Sequence, residues 1–176
     1  MHTFRFLLAP AMLLLSTISL ADETYQPFVL ASVNEATLEA QTEATIMALK
    51  QAGFSIAGQY APLENANVIV ATNDDLLNIA ASTDRGGYAA GQRISVAERN
   101  GKIEVTFVNP QYIQYAYRLD GDMKAVLDRL GSALGNLESF GADKKMTAKK
   151  LLKYNYMIGM QKFDDPSDLG TFESHD

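Results

Sequence analysis

The dipeptide Asn100-Gly101 constrains the fold most, because it lies between two stretches in which every second residue is apolar. A type I′ turn needs positive φ at both central residues, and Asn followed by Gly adopts this at the lowest cost. The alternating apolar residues are Ile94, Val96, Ile103, Val105 and Phe107. The pattern predicts an antiparallel hairpin with a two-residue type I′ turn.

The segments around the hairpin show strand and helix periods in a fixed order. Asn34 is predicted to cap the first long helix, which ends at Gly53, and Asp120 or Asp122 is predicted to cap the last. The apolar face predicted for that last helix comprises Met123, Val126, Leu127, Leu130, Leu134 and Leu137. The predicted elements are a strand over 27–33, a helix over 35–52, strands over 54–60 and 68–71, a short helix from Asn73 or Asp74 to Ala81, the hairpin, and the last helix. In the short helix, the side chains predicted to face inward are Leu76, Leu77 and Ala80.

This order limits the fold class. Four consecutive strands between two long helices cannot form repeated βαβ units, so the sheet must be antiparallel. We predict an α+β domain with an antiparallel sheet of about five strands and two long helices on one face, in the order β-α-β-β-β-β-α. A C-terminal extension follows, with a lysine-rich helix, a strand over 154–163 and an acidic tail.

The N-terminus has the pattern of a secretory signal. Arg5 precedes a largely apolar run over 6–20, and Ser19 and Ala21 are small residues at the cleavage-specifying positions. We expect residues 1–21 to be removed and residues 22–140 to form the α+β domain. Residues 141–176 are expected to form an extension or an incomplete second unit. The expected location is the periplasm or the exterior, without stable membrane insertion after cleavage.

Composition excludes several chemistries. The chain has no cysteine, and its two histidines are His2 and His175, so thiol chemistry and multi-histidine metal sites are excluded. Its 21 acidic residues exceed its 15 basic ones, which argues against nucleic acid as a partner. We expect no cofactor and no metal ion.

Several short motifs resemble the domain of unknown function 302 family over about residues 28–137. That resemblance implies a TATA-box-binding-protein-like α+β fold with the strand and helix order given above. Members often carry a Cys-Pro pair where this chain has Gly91-Gln92, so no thiol role is carried over. The motifs are Gly53-Phe54, Gly91-Gln92-Arg93-Ile94-Ser95-Val96, Asn100-Gly101-Lys102 and Val108-Asn109-Pro110.

A candidate ligand site lies at the end of the sheet opposite Asn100-Gly101. The glycine-rich loop entering the hairpin and the segment leaving it meet there, which brings together Arg85, Tyr88, Tyr112 and Tyr115. The predicted function is an exported non-catalytic domain that binds a small molecule or a protein partner. The tyrosines could instead fill the rim of the core.

An enzyme is the alternative function. The acidic residues Glu98, Glu104 and Asp84 lie near the hairpin turn and in the glycine-rich loop, and paired carboxylates can carry out hydrolysis. That alternative is a periplasmic carboxylate-dependent hydrolase.

Overall fold

The computed structural model describes residues 23–84, 86–155, 157, 159 and 160. The predicted signal segment, Arg85 and the acidic tail lie outside these residues. The described elements are β1 (Thr24–Tyr25), β2 (Phe28–Asn34), α1 (Leu38–Gln51), β3 (Ser55–Leu63), β4 (Ala66–Thr72), α2 (Asp74–Ser82), a 3₁₀ turn (Gly86–Ala89), β5 (Gln92–Arg99), β6 (Lys102–Val108), α3 (Pro110–Ala116), α4 (Lys124–Leu134), β7 (Glu138–Phe140), β8 (Met146–Thr147) and α5 (Ala148–Leu152).

The main sheet has six strands in the order β3-β4-β5-β6-β2-β7, and every neighbouring pair is antiparallel. This confirms the predicted α+β class and the antiparallel sheet, and the elements follow one another along the chain in the predicted order. The sequence did not indicate β7, which adds a short sixth strand at the edge beside β2. A separate two-stranded ribbon joins β1 to β8.

The hairpin prediction is confirmed in register and in turn geometry. Ile94 pairs with Phe107 and Val96 with Val105, and all four side chains are buried. Asn100 and Gly101 have φ of 53° and 73°, the positive values that a type I′ turn requires.

The core lies between one face of the sheet and the helices α1 and α4, which contact each other and the strands. Leu49 of α1 and Val126 and Leu130 of α4 are fully buried there. The opposite face carries side chains that are exposed or half-buried along β2, β4, β5 and β6. Within the described residues, no helix is both long and apolar enough to span a bilayer.

The predicted N-terminal caps of the two long helices, α1 and α4, both need correction. Helix α1 is capped by Thr37, whose hydroxyl accepts the Ala40 N–H at 3.2 Å, while Asn34 still belongs to β2. Helix α4 begins after Met123 without a side-chain cap, although the Asp122 carboxylate accepts the Lys124 N–H at 2.9 Å. Asn34 is too far from the helix to cap it, because the chain runs three more residues, to Thr37, before α1 begins.

Two leucines predicted to face inward do not. Leu137 is 65% exposed because α4 ends at Leu134 and Gly135, at φ 106°, turns the chain toward β7. Leu77 is 47% exposed, since one helical step of about 100° separates it from the buried Leu76. Ile79, three residues after Leu76, packs against the core in its place.

The described part of the C-terminal extension contains the short strand β8 and the helix α5, but not the strand predicted over 154–163. Residues 154, 155, 157, 159 and 160 are not in a strand, so that prediction is wrong for them. Gly159 has φ 85° and the Met160 N–H donates to the Met157 carbonyl at 3.0 Å, a tight turn in place of an extended chain. The remainder of the predicted strand lies outside the described residues.

Candidate functional site

Two cavities on the open side of the sheet meet at one arginine. The sheet-face cavity, of about 470 Å³, is lined by residues that include Phe28, Val68 and Phe140. The sheet-end cavity, of about 230 Å³, is lined by residues that include Tyr88, Gln92 and Tyr117. Arg93 and Val108 line both cavities, so the two adjoin at these residues and together form the candidate site.

Strand alternation places Arg93 at this junction. Its neighbours Gln92 and Ile94 are buried on the core side, so the Arg93 side chain projects from the open face. Among the described residues, the Arg93 guanidinium has no ion pair and no hydrogen bond. A charged group with five donors is therefore available to a ligand.

Apolar side chains flank Arg93 on the neighbouring strands. Val70 of β4 is its direct cross-strand partner. On the other side the pairing of β5 with β6 begins with Ile94 opposite Phe107, and one further step brings Arg93 opposite Val108. Arg93 thus lies between two valines, with its own side chain exposed at the surface.

The hairpin end of the sheet-face cavity carries the other charges. Glu98, Arg99 and Glu104 line it, and the Arg99 guanidinium lies 3.8 Å from the Glu104 carboxylate. Arg99 is thus already paired, while the two glutamates disfavour an anion at this end. Among the described residues that line the two cavities, Arg93 is therefore the cation available for an anionic group.

Two stacked tyrosines form a wall of the sheet-end cavity. The rings of Tyr88 and Tyr117 lie 5.4 Å apart at an interplanar angle of 12°, and Tyr88 is 65% exposed. Gly91 and Val70 also line this cavity and lie close together, because a Cβ added at Gly91 would lie 3.1 Å from a Val70 methyl carbon. The cavity is therefore narrow between the loop and the sheet.

Gln92 adds an unpaired acceptor at the floor of this cavity. The residue is 2% exposed, and its Oε1 is buried without a hydrogen-bond partner in the described part of the protein. A buried polar atom without a partner costs about 1–3 kcal/mol.

The residues predicted as a site are only partly brought together. Tyr88 lines the sheet-end cavity, whereas Tyr115 packs against Tyr25, with ring centroids 4.9 Å apart, and lines neither cavity. Tyr112 lies beside Tyr117 and Tyr154, and burial, followed by these neighbours, raises the pKa of its hydroxyl. Arg85 lies outside the described residues, so its prediction stays open.

Sequence analysis missed Arg93 and Tyr117 as site residues. The signal for Arg93 is its position between Gln92 and Ile94, which makes it the outward residue of an alternating strand. The signal for Tyr117 is its distance of four residues from Ile113, which places both on one helical face. Both residues line the sheet-end cavity.

Of the acidic residues of the alternative function, the fold brings two to one cavity and separates the third from them. Glu98 and Glu104 line the sheet-face cavity, while Asp84 lines neither cavity. Among the residues that the structure describes, no three carboxylate or histidine side chains are grouped as a metal site would require.

Comparison with known proteins identifies the fold. No family model matches the chain, and no curated protein is significantly similar to it in sequence. The crystal structure of an uncharacterized conserved protein DUF302 from Bacillus stearothermophilus aligns with a TM-score of 0.52 and 15% sequence identity, covering 62% of this chain and 95% of that chain. At this identity the likeness concerns the fold alone. The chain therefore has the α+β fold of that DUF302 protein, as its resemblance to the domain of unknown function 302 family implied.

Proposed function

We propose that this protein is an exported, non-catalytic domain that binds a small organic anion on the open face of its sheet. The observation that carries the proposal is the Arg93 guanidinium at the junction of two cavities, which has no ion pair within the described part of the chain. The proposal of export rests on the signal-like segment over 1–21.

The chemistry of the site fits an anion with an apolar body. A guanidinium binds a carboxylate or phosphate through two parallel hydrogen bonds, and such charge-assisted bonds are stronger than neutral ones. The sheet-face cavity of about 470 Å³ lies within the size range of small-molecule sites, and most of its lining surface is apolar. Arg93 would fix the anion, and the valines and phenylalanines would cover the apolar part.

A fluorescence titration tests this proposal with 8-anilinonaphthalene-1-sulfonate, which has an anionic group and an apolar aromatic body. We expect Arg93→Gln to weaken binding at least tenfold, since it removes the available cation. Arg99→Gln is the matched control, because Arg99 is on the same strand and lines the same cavity but is paired with Glu104. We expect this control to change binding less than twofold.

The proposal is wrong if the wild-type protein does not bind this anion at millimolar concentration, or if the two arginine variants bind it equally. Circular dichroism of both variants establishes that each is folded. Arg93 is exposed, so its replacement is not expected to disturb the core.

Hydrolysis is the second candidate function, because Glu98 and Glu104 line the same cavity. A hydrolase needs two carboxylates on opposite sides of the scissile bond, one acting as an acid. A panel of nitrophenyl glycosides and esters tests this directly. Turnover that Glu104→Gln abolishes would support the enzyme, and rates equal to those of buffer alone would reject it.

A further inference from the structure

We infer that the anion carries an alkyl chain, which lies across the strands from Arg93 over Val108 and Phe28 to Phe140. This inference rests on the proposed function and adds the chemical class of the ligand, a carboxylate with a medium-length chain. It concerns the sheet-face cavity, not the sheet-end cavity beside Tyr88.

The strand register places these side chains in one row. Phe28 is the cross-strand partner of Val108 on one side and of Phe140 on the other. Arg93 comes opposite Val108 when the β5–β6 register is continued by one residue. All four residues line the sheet-face cavity, so the row is a continuous part of its wall.

The dimensions of the row favour a chain over a single ring. Neighbouring strands lie about 4.8 Å apart, so three steps from Arg93 to Phe140 span roughly 14 Å. One aromatic ring is too short to contact both ends of this row. The rings of Phe28 and Phe140 are tilted by 39° with centroids 5.8 Å apart, and Phe28 is 39% exposed, so both present apolar surface to a chain.

The charges on the face fix the direction of the chain. Glu98 and Glu104 occupy the hairpin end of the sheet-face cavity and repel a carboxylate. The carboxylate therefore binds at Arg93, and the tail extends along the row, where the lining side chains are a valine and two phenylalanines.

Calorimetric titration of the full chain with acetate, hexanoate, decanoate and decanol tests the inference. We expect decanoate to bind at least tenfold more tightly than hexanoate, because the longer chain covers Phe28 and Phe140. Phe28→Ala should remove most of this gain and leave hexanoate binding within threefold. Leu30→Ala is the matched control, since Leu30 projects from the same strand and face but does not line the cavity.

The outcomes separate this inference from the proposed function. If all three acids bind equally and Arg93→Gln weakens them, an anion site exists without a chain site, and the inference is wrong. If decanol binds as tightly as decanoate, Arg93 does not select an anion, and the proposed function itself is wrong. If Tyr88→Ala abolishes decanoate binding while Phe28→Ala does not, the tail lies in the sheet-end cavity. Phe140→Ala, at the edge of the sheet, replaces Phe28→Ala if that variant does not fold.

Discussion

At the scale of single residues, Tyr25 is the side chain whose ionisation the fold changes most among the described groups. It is 6% exposed, and its hydroxyl lies 3.5 Å from the hydroxyl of Tyr115. Burial is the largest cause that raises the pKa of Tyr25 well above its ordinary value, and the hydrogen bond with Tyr115 adds to it. The hydroxyl therefore stays protonated in the folded protein at pH values where an exposed tyrosine has ionised.

This predicts a loss of stability in alkali. Above pH of about 10, Tyr25 loses its proton in the unfolded chain but keeps it in the fold, so the free energy of unfolding falls as pH rises. Urea unfolding between pH 9 and 11 should show a smaller decrease for Tyr25→Phe than for the wild type. Tyr60→Phe is the matched control, because it removes a hydroxyl from a tyrosine that is 52% exposed. Equal slopes for wild type and Tyr25→Phe would contradict the prediction.

At the scale of elements, Asn109 holds the helix that forms one wall of the candidate site. Its side-chain oxygen accepts the N–H of Gln111 at 3.1 Å at the start of α3, and its amide donates to the carbonyl of Gln26 at 2.9 Å. Asn109 is 5% exposed. One side chain thus caps α3 and joins it to the segment that precedes β2.

Replacement of Asn109 should therefore cost more than replacement of an exposed cap. We expect Asn109→Ala to lower the free energy of unfolding by about 2–3 kcal/mol, since a cap is lost and the Gln26 carbonyl is left buried. Thr37→Ala, at the exposed cap of α1, should cost about 1 kcal/mol or less. Urea unfolding of both variants measures the difference, and a similar loss for the two would show that the bond to Gln26 contributes nothing.

The same elements show what the sequence predicts and why. The hairpin around Asn100-Gly101 and the buried positions of α4 were predictable, because turn chemistry and apolar period are local properties. Strand β7 was not, because its three residues carry no alternating pattern and it forms only where the chain passes β2. Gly135 allows that passage, since a Cβ there would overlap the carbonyl oxygen of Ala31.

The candidate site was predicted only in part for a related reason. The alternation around Arg93 shows that it projects from one face of β5, but not that helices leave this face uncovered. That fact depends on the packing of α1 and α4 on the opposite face, which is a property of the whole molecule. Tyr88 was found because loop and sheet end meet by topology, whereas Tyr115 was misplaced because the orientation of α3 is not encoded locally.

At the scale of the whole molecule, the residues after Phe140 lie beside the main core and not within it. The main core cluster includes no described residue beyond Leu134. Leu151 of α5 is nevertheless 1% exposed, α5 contacts α3, and β8 pairs with β1. The extension therefore covers the side of the domain that carries α3 and Tyr25.

Deletion of residues 141–176 tests how far the domain depends on this extension. An extension that is independent of the domain would change the melting temperature by only a few degrees, but the burial of Leu151 raises the expected loss. Because burying a leucine contributes about 2–5 kcal/mol, we expect the truncated protein to melt roughly 5–15 °C lower while still unfolding in one cooperative step. Leu151→Ala in the full chain should account for most of this decrease, as measured by calorimetry. A broad, non-cooperative transition after deletion would show instead that the extension belongs to the main core, and an unchanged melting temperature would show that the contact between α5 and α3 does not stabilise the domain.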